Sequence, residues 1–517
     1  MTGAADPQGP VVAFLSDPAT HGLAAGAVKH IRTHISDLFL AGDFAYKLKR
    51  AVKYAFVDFR SLDARKAACQ AEIALNSRTA PEIYLRTAAI RRLADGTLAL
   101  DPPDKSAPGD AIEWVVVMRR FDETMTLDHV ADAGALTAEQ IDAVIDAAIT
   151  FHAGSPPVRR NFGGAEGLSA VIEENDRNMA GHPAAFDSGT RAELTETCRA
   201  VLAQLASLLD QRQDDGFVRR CHGDMHLGNI VLVDGRPQLF DCIEFSDAIA
   251  TIDVAYDIAF LLMDLLSRNH PALANRAFGR YVGRTGDTGF LAALRLMMAI
   301  RALVRAKVTA MEAEDAPVTM ARALLARVTR LTGLARSLLT PAPPPRLIAV
   351  GGLSGTGKTT LAAAIAPAIG KAPGALHLRS DILRKRIAGI VPEQHLPSPA
   401  YRAEANIVVY AALNHDARAA LGAGCSVVVD AVFARPEERH RMEEIAQEAG
   451  VPFTGIWLTA PEAVLMKRVE ARRGDASDAT KDVVAKQLTY DAGKIGWRQI
   501  DADAPPAEIL RRALAQL

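Results

Sequence analysis

Gly352-Leu353-Ser354-Gly355-Thr356-Gly357-Lys358-Thr359-Thr360 decides how the second half of this 517-residue chain folds. Its first eight residues match G-x-x-x-x-G-K-[ST] completely, and the surroundings are those the motif needs. A strand-like apolar run at 347–350 precedes it, and a helix-compatible stretch follows from Thr359. Glycines in such a loop let backbone N–H groups turn inward around phosphates, and the helix N-terminus adds positive potential. Lys358 is placed to reach the β- and γ-phosphates of a nucleotide, and Thr359 to ligate Mg²⁺. Gly352, Ser354, Gly355, Thr356, Gly357 and Thr360 complete the phosphate cradle. A chance glycine-rich turn is the competing reading, and the strand–helix context argues against it.

Working outward, apolar runs at 376–378, 427–429 and 456–458 each precede a helix-compatible stretch. Short apolar strands alternating with helices predict an α/β P-loop NTPase fold with a doubly wound parallel sheet. A carboxylate at the C-terminal end of such a strand faces the ligand crevice. Asp381 is one: it can accept the proton of an acceptor hydroxyl or hold Mg²⁺ through water, or it only caps the helix starting at Ile382. Arg384, on the same helical face, is placed to bind a substrate anion. Asp430 occupies the Walker-B-like position, with a water-mediated contact to Mg²⁺ expected. Arg468 and Arg472 share a helical face, with Arg473 next to them, and suit the charge that builds during phosphoryl transfer. A solvated basic face is the alternative.

The prolines of residues 340–346 cannot continue a helix or donate to a sheet, so they predict a semi-rigid linker between domains at 1–339 and 347–517. A helical region runs over 291–339, broken near Ala316-Pro317. Earlier residues read as α+β: strand signals at 37–49 and 114–118, a helix over 62–78, and strands at 230–233 and 238–240 flanking an Asp234-Gly235 turn. No internal repeat is visible.

Within that half, Cys221-His222-Gly223-Asp224-Met225-His226-Leu227-Gly228-Asn229 fits H-x-D-x-x-x-x-N. An aspartate at Asp224 can orient and deprotonate a hydroxyl, and Asn229 can ligate Mg²⁺. The following hairpin returns the chain so that Asp241 faces Asn229 across the metal, a donor set that suits Mg²⁺. Glu244 just beyond approaches metal or substrate, or is an exposed loop acid. His222 and His226 lack a helix or a third ligand and make a poor zinc site. Arg301 and Arg305, four apart on a helix, reach a phosphorylated or acidic substrate or form a solvated or ion-paired face.

Hydrophobic residues are 49% and charged residues 23% of the chain, which excludes a disordered protein, and a net charge of −2 gives no whole-chain field for a nucleic-acid backbone. Five scattered cysteines without C-x-x-C spacing predict neither disulfides nor zinc and fit a reduced compartment. The N-terminus lacks a secretion pattern, and the greasiest stretch, 258–266, is short and contains Asp264. A soluble cytoplasmic protein with no membrane contact is expected.

On the P-loop and Asp381-x-x-Arg384, residues 346–517 resemble the small P-loop kinases related to gluconate kinase, polynucleotide kinase and zeta-type toxins. That resemblance implies phosphoryl transfer to a hydroxyl with Asp381 as base. On His222-Gly-Asp224-x-His226-x-Gly-Asn229, the first half resembles the aminoglycoside phosphotransferase and choline kinase group. This implies a bilobal, protein-kinase-like fold, an ATP lysine at Lys47 with Lys49 as rival on the same strand face, and Glu72 as its partner. It also implies a hinge at Met118 for adenine, a structural His222, and Asp257 as a brace for the catalytic loop. Residues 33–36 stand where a phosphate-covering loop belongs but contain no glycine, leaving His34 or Ser36 to substitute. The tandem is similar to bacterial proteins described as an aminoglycoside-phosphotransferase-like domain fused to an AAA-type predicted kinase. The implied activity is an ATP- and Mg²⁺-dependent phosphotransferase with two nucleotide sites and small-molecule hydroxyl acceptors. Its rivals are a regulator in which one site only binds ATP and gates the other, and an aminoglycoside-resistance kinase. The resemblance names no acceptor and no oligomeric state.

Overall fold

Period-two alternation builds the first sheet. In the computed structural model, residues 7–24, 26, 28–54, 57–102, 108–471 and 476–517 are described. They fall into two compact units, Met1–Gly167 with Gln213–Ile258, and Leu168–Arg212 with Ala259–Leu517. The first unit contains β1 (Val28–Arg32), β2 (Ser36–Ala41), β3 (Phe44–Lys49), the short pair β4 (Lys53–Tyr54) and β5 (Val57–Asp58), then β6 (Tyr84–Arg92), β7 (Leu98–Leu100) and β8 (Asp110–Arg119). Six of these form one antiparallel sheet in the order β1-β2-β3-β8-β6-β7. The strand signal over 37–49 is thus two strands, turned at Gly42-Asp43 with Gly42 at φ 57°.

Successive side chains of a strand point to opposite faces. Phe39, Tyr46, Leu48, Ile90, Val115 and Val117 form one buried face with Val11 and Leu15 from helix Gly9–Ser16. Ala45, Tyr84, Val116 and Met118 form the other with Cys69 of helix Leu62–Asn76. Lys47 and Lys49 therefore share the face of Ala45 and look toward that helix. In the same unit β9 (Val218–Arg220) pairs with β12 (Thr251–Asp253), and β10 (Ile230–Val233) with β11 (Arg236–Leu239). The turn between β10 and β11 has positive φ at Asp234 (49°) and Gly235 (75°), the backbone a tight hairpin needs.

The second unit holds the parallel sheet: β13 (Leu347–Gly352), β14 (Leu376–Arg379), β15 (Val427–Asp430), β16 (Phe453–Thr459) and β17 (Arg498–Asp501), in the order β14-β15-β13-β16-β17. The sequence shows four of these strands; β17 is the addition. β13 is buried along its whole length, as helices on both faces require, and Ile348, Val350, Leu361, Ile365, Val428 and Ile456 pack together. Helices Leu294–Glu314 and Val318–Leu339 also belong to this unit and pack on each other. The prolines of 340–346 thus join two parts of one unit. No helix among the described residues is long and apolar enough to cross a membrane.

Candidate active sites

In the first unit, strand β3 and helix Leu62–Asn76 bring Lys47 to Glu72, and the chain after β11 brings Asp241 to both. Lys47 Nζ donates to Glu72 Oε1 at 2.8 Å and to Asp241 Oδ1 at 2.6 Å. Burial opposes the charge on Lys47, yet Asp241 and Glu72 outweigh it and hold its pKa well above the ordinary lysine value. Desolvation likewise pushes Asp241 up, and Lys47 overrides it and draws the carboxyl below the usual range. Asp241 has φ 63°, a backbone aspartate tolerates better than most residues, and its N–H donates to Tyr84 Oη at 3.0 Å. Next to it, Cys242 N–H donates to Asn76 Oδ1 at 2.8 Å.

The H-x-D-x-x-x-x-N segment is held from behind. His222 and Gly223 N–H donate to Asp257 Oδ2 and Oδ1 at 3.1 and 3.0 Å, so Asp257 braces the loop, as the resemblance implies. Asn229 Nδ2 donates to the carbonyl and to Oδ2 of Asp224, both at 3.0 Å, which leaves Asn229 Oδ1 as its acceptor atom. His222 Nε2 lies 2.9 Å from the Phe240 carbonyl, and its Nδ1 accepts Asp224 N–H at 3.3 Å; burial lowers its pKa. It is a strut between loop and hairpin. His226 Nδ1 accepts Gly228 N–H at 3.1 Å and caps a short turn. Met118 is buried near the end of β8, opposite Ala45 in β3. Glu244 is not an exposed loop acid: its side chain is 4% exposed and pairs with Lys49.

In the second unit, β13 and β15 are neighbours with Val350 opposite Asp430, which sets the P-loop beside the Walker-B-like aspartate. Thr359 Oγ1 donates to Asp430 Oδ2 at 2.5 Å. A Cβ on Gly352 would lie 2.5 Å from the Leu458 carbonyl oxygen and one on Gly355 2.8 Å from that of Leu465, so only glycine fits either position. Gly357, at φ 87°, leads into helix Lys358–Ile365, and Lys358 Nζ donates to the Leu353 carbonyl at 3.1 Å. Burial pushes Asp430 up, but His377, Lys358 and Arg379 more than offset it and hold the carboxyl down at about 2. Asp381 moves the other way: burial, with Asp430 adding to it, raises its pKa against the pull of Arg379, Ser477 and Lys358.

One cavity of about 820 Å³ is lined by Ser354, Gly355, Gly357, Lys358, Thr359, Thr360, Asp381, Arg384, Asp430 and Arg468. Thr356 is buried behind the loop, its hydroxyl on the Leu353 carbonyl at 2.8 Å. Arg384 donates to the Ala400 carbonyl at 2.8 Å and to Asn406 Oδ1 at 2.7 Å, and its guanidinium lies over the Tyr401 ring at 4.9 Å. Arg468 Nη2 donates to the Ala502 carbonyl at 2.9 Å. Arg472 and Arg473 lie outside the described residues. Arg301 is not solvated: it is buried, with its guanidinium 4.7 Å from the centre of the Phe260 ring.

Several groups escape sequence reading. Gln487 Oε1 accepts the P-loop Ser354 N–H at 2.8 Å from a helix far along the chain, and nothing local marks it. His377 and Arg379 stand 3.8 and 3.9 Å from Asp430 Oδ2. Their spacing of two on β14 is a usable signal, because it puts both on one strand face. Asp478 accepts from Lys385 Nζ (3.0 Å), Leu396 N–H (2.9 Å) and Tyr401 Oη (2.6 Å) and ties the segment before helix Ala403–Gly422 in place.

Residues 64–294 match the family described as phosphotransferase enzyme family, and residues 347–490 match the AAA domain. The uncharacterized protein Rv2004c of Mycobacterium tuberculosis (strain H37Rv) is 30% identical over 486 residues, 92% of each chain. The uncharacterized protein Mb2027c of Mycobacterium bovis matches to the same extent, 30% over 486 residues and 92% of each chain. Among solved structures, a sugar kinase from Janibacter sp. HTCC2649 is 24% identical, covering 34% of this chain and 94% of its own, with a TM-score of 0.27. A choline/ethanolamine kinase family protein from Mesorhizobium loti is 17% identical, covering 62% of this chain and 94% of its own, with a TM-score of 0.39.

Proposed function

Because the chain belongs to one family with the mycobacterial proteins Rv2004c and Mb2027c and is a kinase-type phosphotransferase with two kinase-like domains, we propose that each domain transfers the γ-phosphate of ATP to a hydroxyl of a small molecule. The two domains are residues 1–339 and 347–517, with 340–346 between them. The observation that carries this reading is that each half brings together the same kinds of group, a lysine, aspartates and further oxygen donors, which suit phosphate, an acceptor proton and Mg²⁺. The first half does so with Lys47, Asp224, and the pair Asn229 and Asp241. The second does so with Lys358, Asp381, and the pair Thr359 and Asp430.

The donor sets fit the groups they would hold. Asn229 Oδ1, the Asp241 carboxylate, the Thr359 hydroxyl and the Asp430 carboxylate are hard oxygens, and Gly352 and Gly355 let the loop pack against the Leu458 and Leu465 carbonyls, where a Cβ would clash. Bound Mg²⁺ would neutralise phosphate charge as it builds. In the first half Asp224 takes the hydroxyl proton at a carboxylate oxygen, the Asn229 amide orients that carboxylate, Lys47 binds phosphate, and Glu72 holds Lys47. The backbone end of β8 at Met118 receives the adenine. In the second half Asp381 is the base, made more basic by burial, while Arg384 and Arg468, with Arg472 beyond the described residues, stabilise acceptor and transferred charge.

ADP release from Mg²⁺–ATP across sugars, amino alcohols, nucleosides and aminoglycosides tests this, with Asp224→Asn and Lys358→Ala beside the unsubstituted chain. Acceptor-stimulated turnover that only one substitution removes assigns a substrate to that half. Turnover that no acceptor changes and that only Lys358→Ala abolishes overturns the two-kinase reading in favour of an ATP-driven switch.

A further inference from the structure

Helix Pro271–Thr285 lies inside the stretch matched to the phosphotransferase enzyme family, yet one of its faces is built into the P-loop half of the second unit. Asn275, Gly279 and Gly283 are spaced by four and lie along one helical face. Asn275 is 4% exposed, and its Nδ2 donates to the Pro373 and Ala375 carbonyls at 3.0 and 2.9 Å. Gly374 between them has φ +100°, and a Cβ there would come 2.8 Å from Asn275 Nδ2. A turn further along, a Cβ on Gly279 would lie 3.7 Å from the His377 carbonyl oxygen. Two turns along, a Cβ on Gly283 would lie 3.0 Å from Ile382 Cγ2. At the far end Arg280 pairs with Glu393 at 2.8 Å, and Arg386 reaches the Val282 carbonyl at 3.4 Å while its other arm holds Asp416 at 2.8 Å.

These contacts run from residue 373 to residue 393, which is the approach to β14, β14 itself, and helix Ser380–Ile387. That segment carries His377, Arg379, Asp381 and Arg384. β14 is an edge strand of the parallel sheet, so no further strand among the described residues sets its position on the outer side. A buried amide with both of its protons on backbone carbonyls does: losing it leaves two buried acceptors without donors. Glycine at Gly283, where a Cβ would crowd Ile382, lets the helix lie close to the helix bearing Asp381 and Arg384.

We infer that Asn275 is a positioning residue for the P-loop site: its helix, from outside the P-loop half, sets β14 and the helix bearing Asp381 and Arg384, and turnover there depends on it. The inference rests on the phosphotransferase reading of the P-loop half given above.

The test uses the full chain in an Asp224→Asn background, which confines turnover to the P-loop half. Asn275→Ala is expected to lower kcat for ATP turnover about tenfold or more, because small displacements of catalytic groups are costly. The KM for ATP is expected to stay within about twofold, since Lys358 and the loop glycines are untouched. Hydrogen exchange gives the second readout: Asn275→Ala is expected to speed exchange over 376–387, and Mg²⁺–ATP to slow exchange over the P-loop of the parent. A folded Asn275→Ala with the parent kcat overturns the inference. Unchanged exchange over 376–387 in Asn275→Ala overturns it alone, whereas Mg²⁺–ATP that leaves exchange over the P-loop of the parent unchanged overturns the reading of the P-loop half together with it.

Discussion

Lys47 and Lys49 bind the two oxygens of one carboxylate: Glu72 Oε1 is 2.8 Å from Lys47 Nζ, and Glu72 Oε2 is 2.5 Å from Lys49 Nζ. Their second partners differ. Lys47 holds Asp241 and is 16% exposed, whereas Lys49 holds Glu244 and is 1% exposed. One lysine opens on the site and the other closes a buried network.

That difference predicts two phenotypes. Lys49→Ala leaves Glu244 as a buried charge without its partner, which costs about 3–5 kcal/mol in comparable sites. Lys47→Ala leaves Glu72 paired with Lys49 and Asp241 near solvent, so its expected effect is on nucleotide affinity. Denaturant midpoints and ATP titration in a Lys358→Ala background separate them. Equal midpoints for the two variants would contradict this division of roles.

Asp257 supports the catalytic loop through two backbone N–H groups. Hydrogen bonds to a charged acceptor contribute about 1.5–3 kcal/mol each. Asp257→Asn is expected to speed amide exchange at His222 and Gly223 and to lower turnover at the first site. Unchanged protection of those two amides would show that the loop holds itself.

His222 ties the first unit to pH. The Phe240 carbonyl requires a proton on Nε2 and Asp224 N–H requires a lone pair on Nδ1, so the folded form is the neutral ring. Burial lowers the pKa in the folded state, so the unfolded chain binds the proton more readily. The stabilisation is complete above the unfolded value of about 6.5 and is lost as pH falls from there through the folded value. Denaturant midpoints between pH 8 and 5 in the native chain and in His222→Gln measure it; parallel curves would remove His222 as the cause.

Gly355 tests the cradle without touching a charge. Alanine there meets the Leu465 carbonyl and must adopt φ +90°, a conformation that costs about 1–3 kcal/mol outside glycine. Gly355→Ala is expected to lose nucleotide binding at the second site while ATP turnover at the first continues. Retained binding in a Lys47→Ala background would show that the loop can shift.

Local patterns carried much of this. The P-loop is contiguous, and the strand and helix it needs adjoin it, so eight residues named a site that the structure assembles with Asp430 on the neighbouring strand. Asp224, Asn229 and Asp241 are close in the chain and joined by one tight hairpin, which keeps their geometry local. The strand signal over 37–49 concealed a turn because Gly42-Asp43 interrupts the apolar alternation for only two residues. For Glu244 and Arg301 the sequence leaves a surface alternative open, since their cover, Lys49 and Phe260, comes from other elements.

The sequence by itself determined which chemistry-bearing residues this protein has and the kind of element each sits on, because periodicity and turn preferences act over a few residues. Only the tertiary structure decided which lysine joins Asp241, how Arg384 is held between Ala400 and Asn406, that Gln487 closes on the P-loop, and that Asn275 braces β14. Each of these is a pairing of buried polar groups from distant segments. A buried donor or acceptor must find a partner wherever the packed fold puts one, and no spacing along the chain encodes that choice.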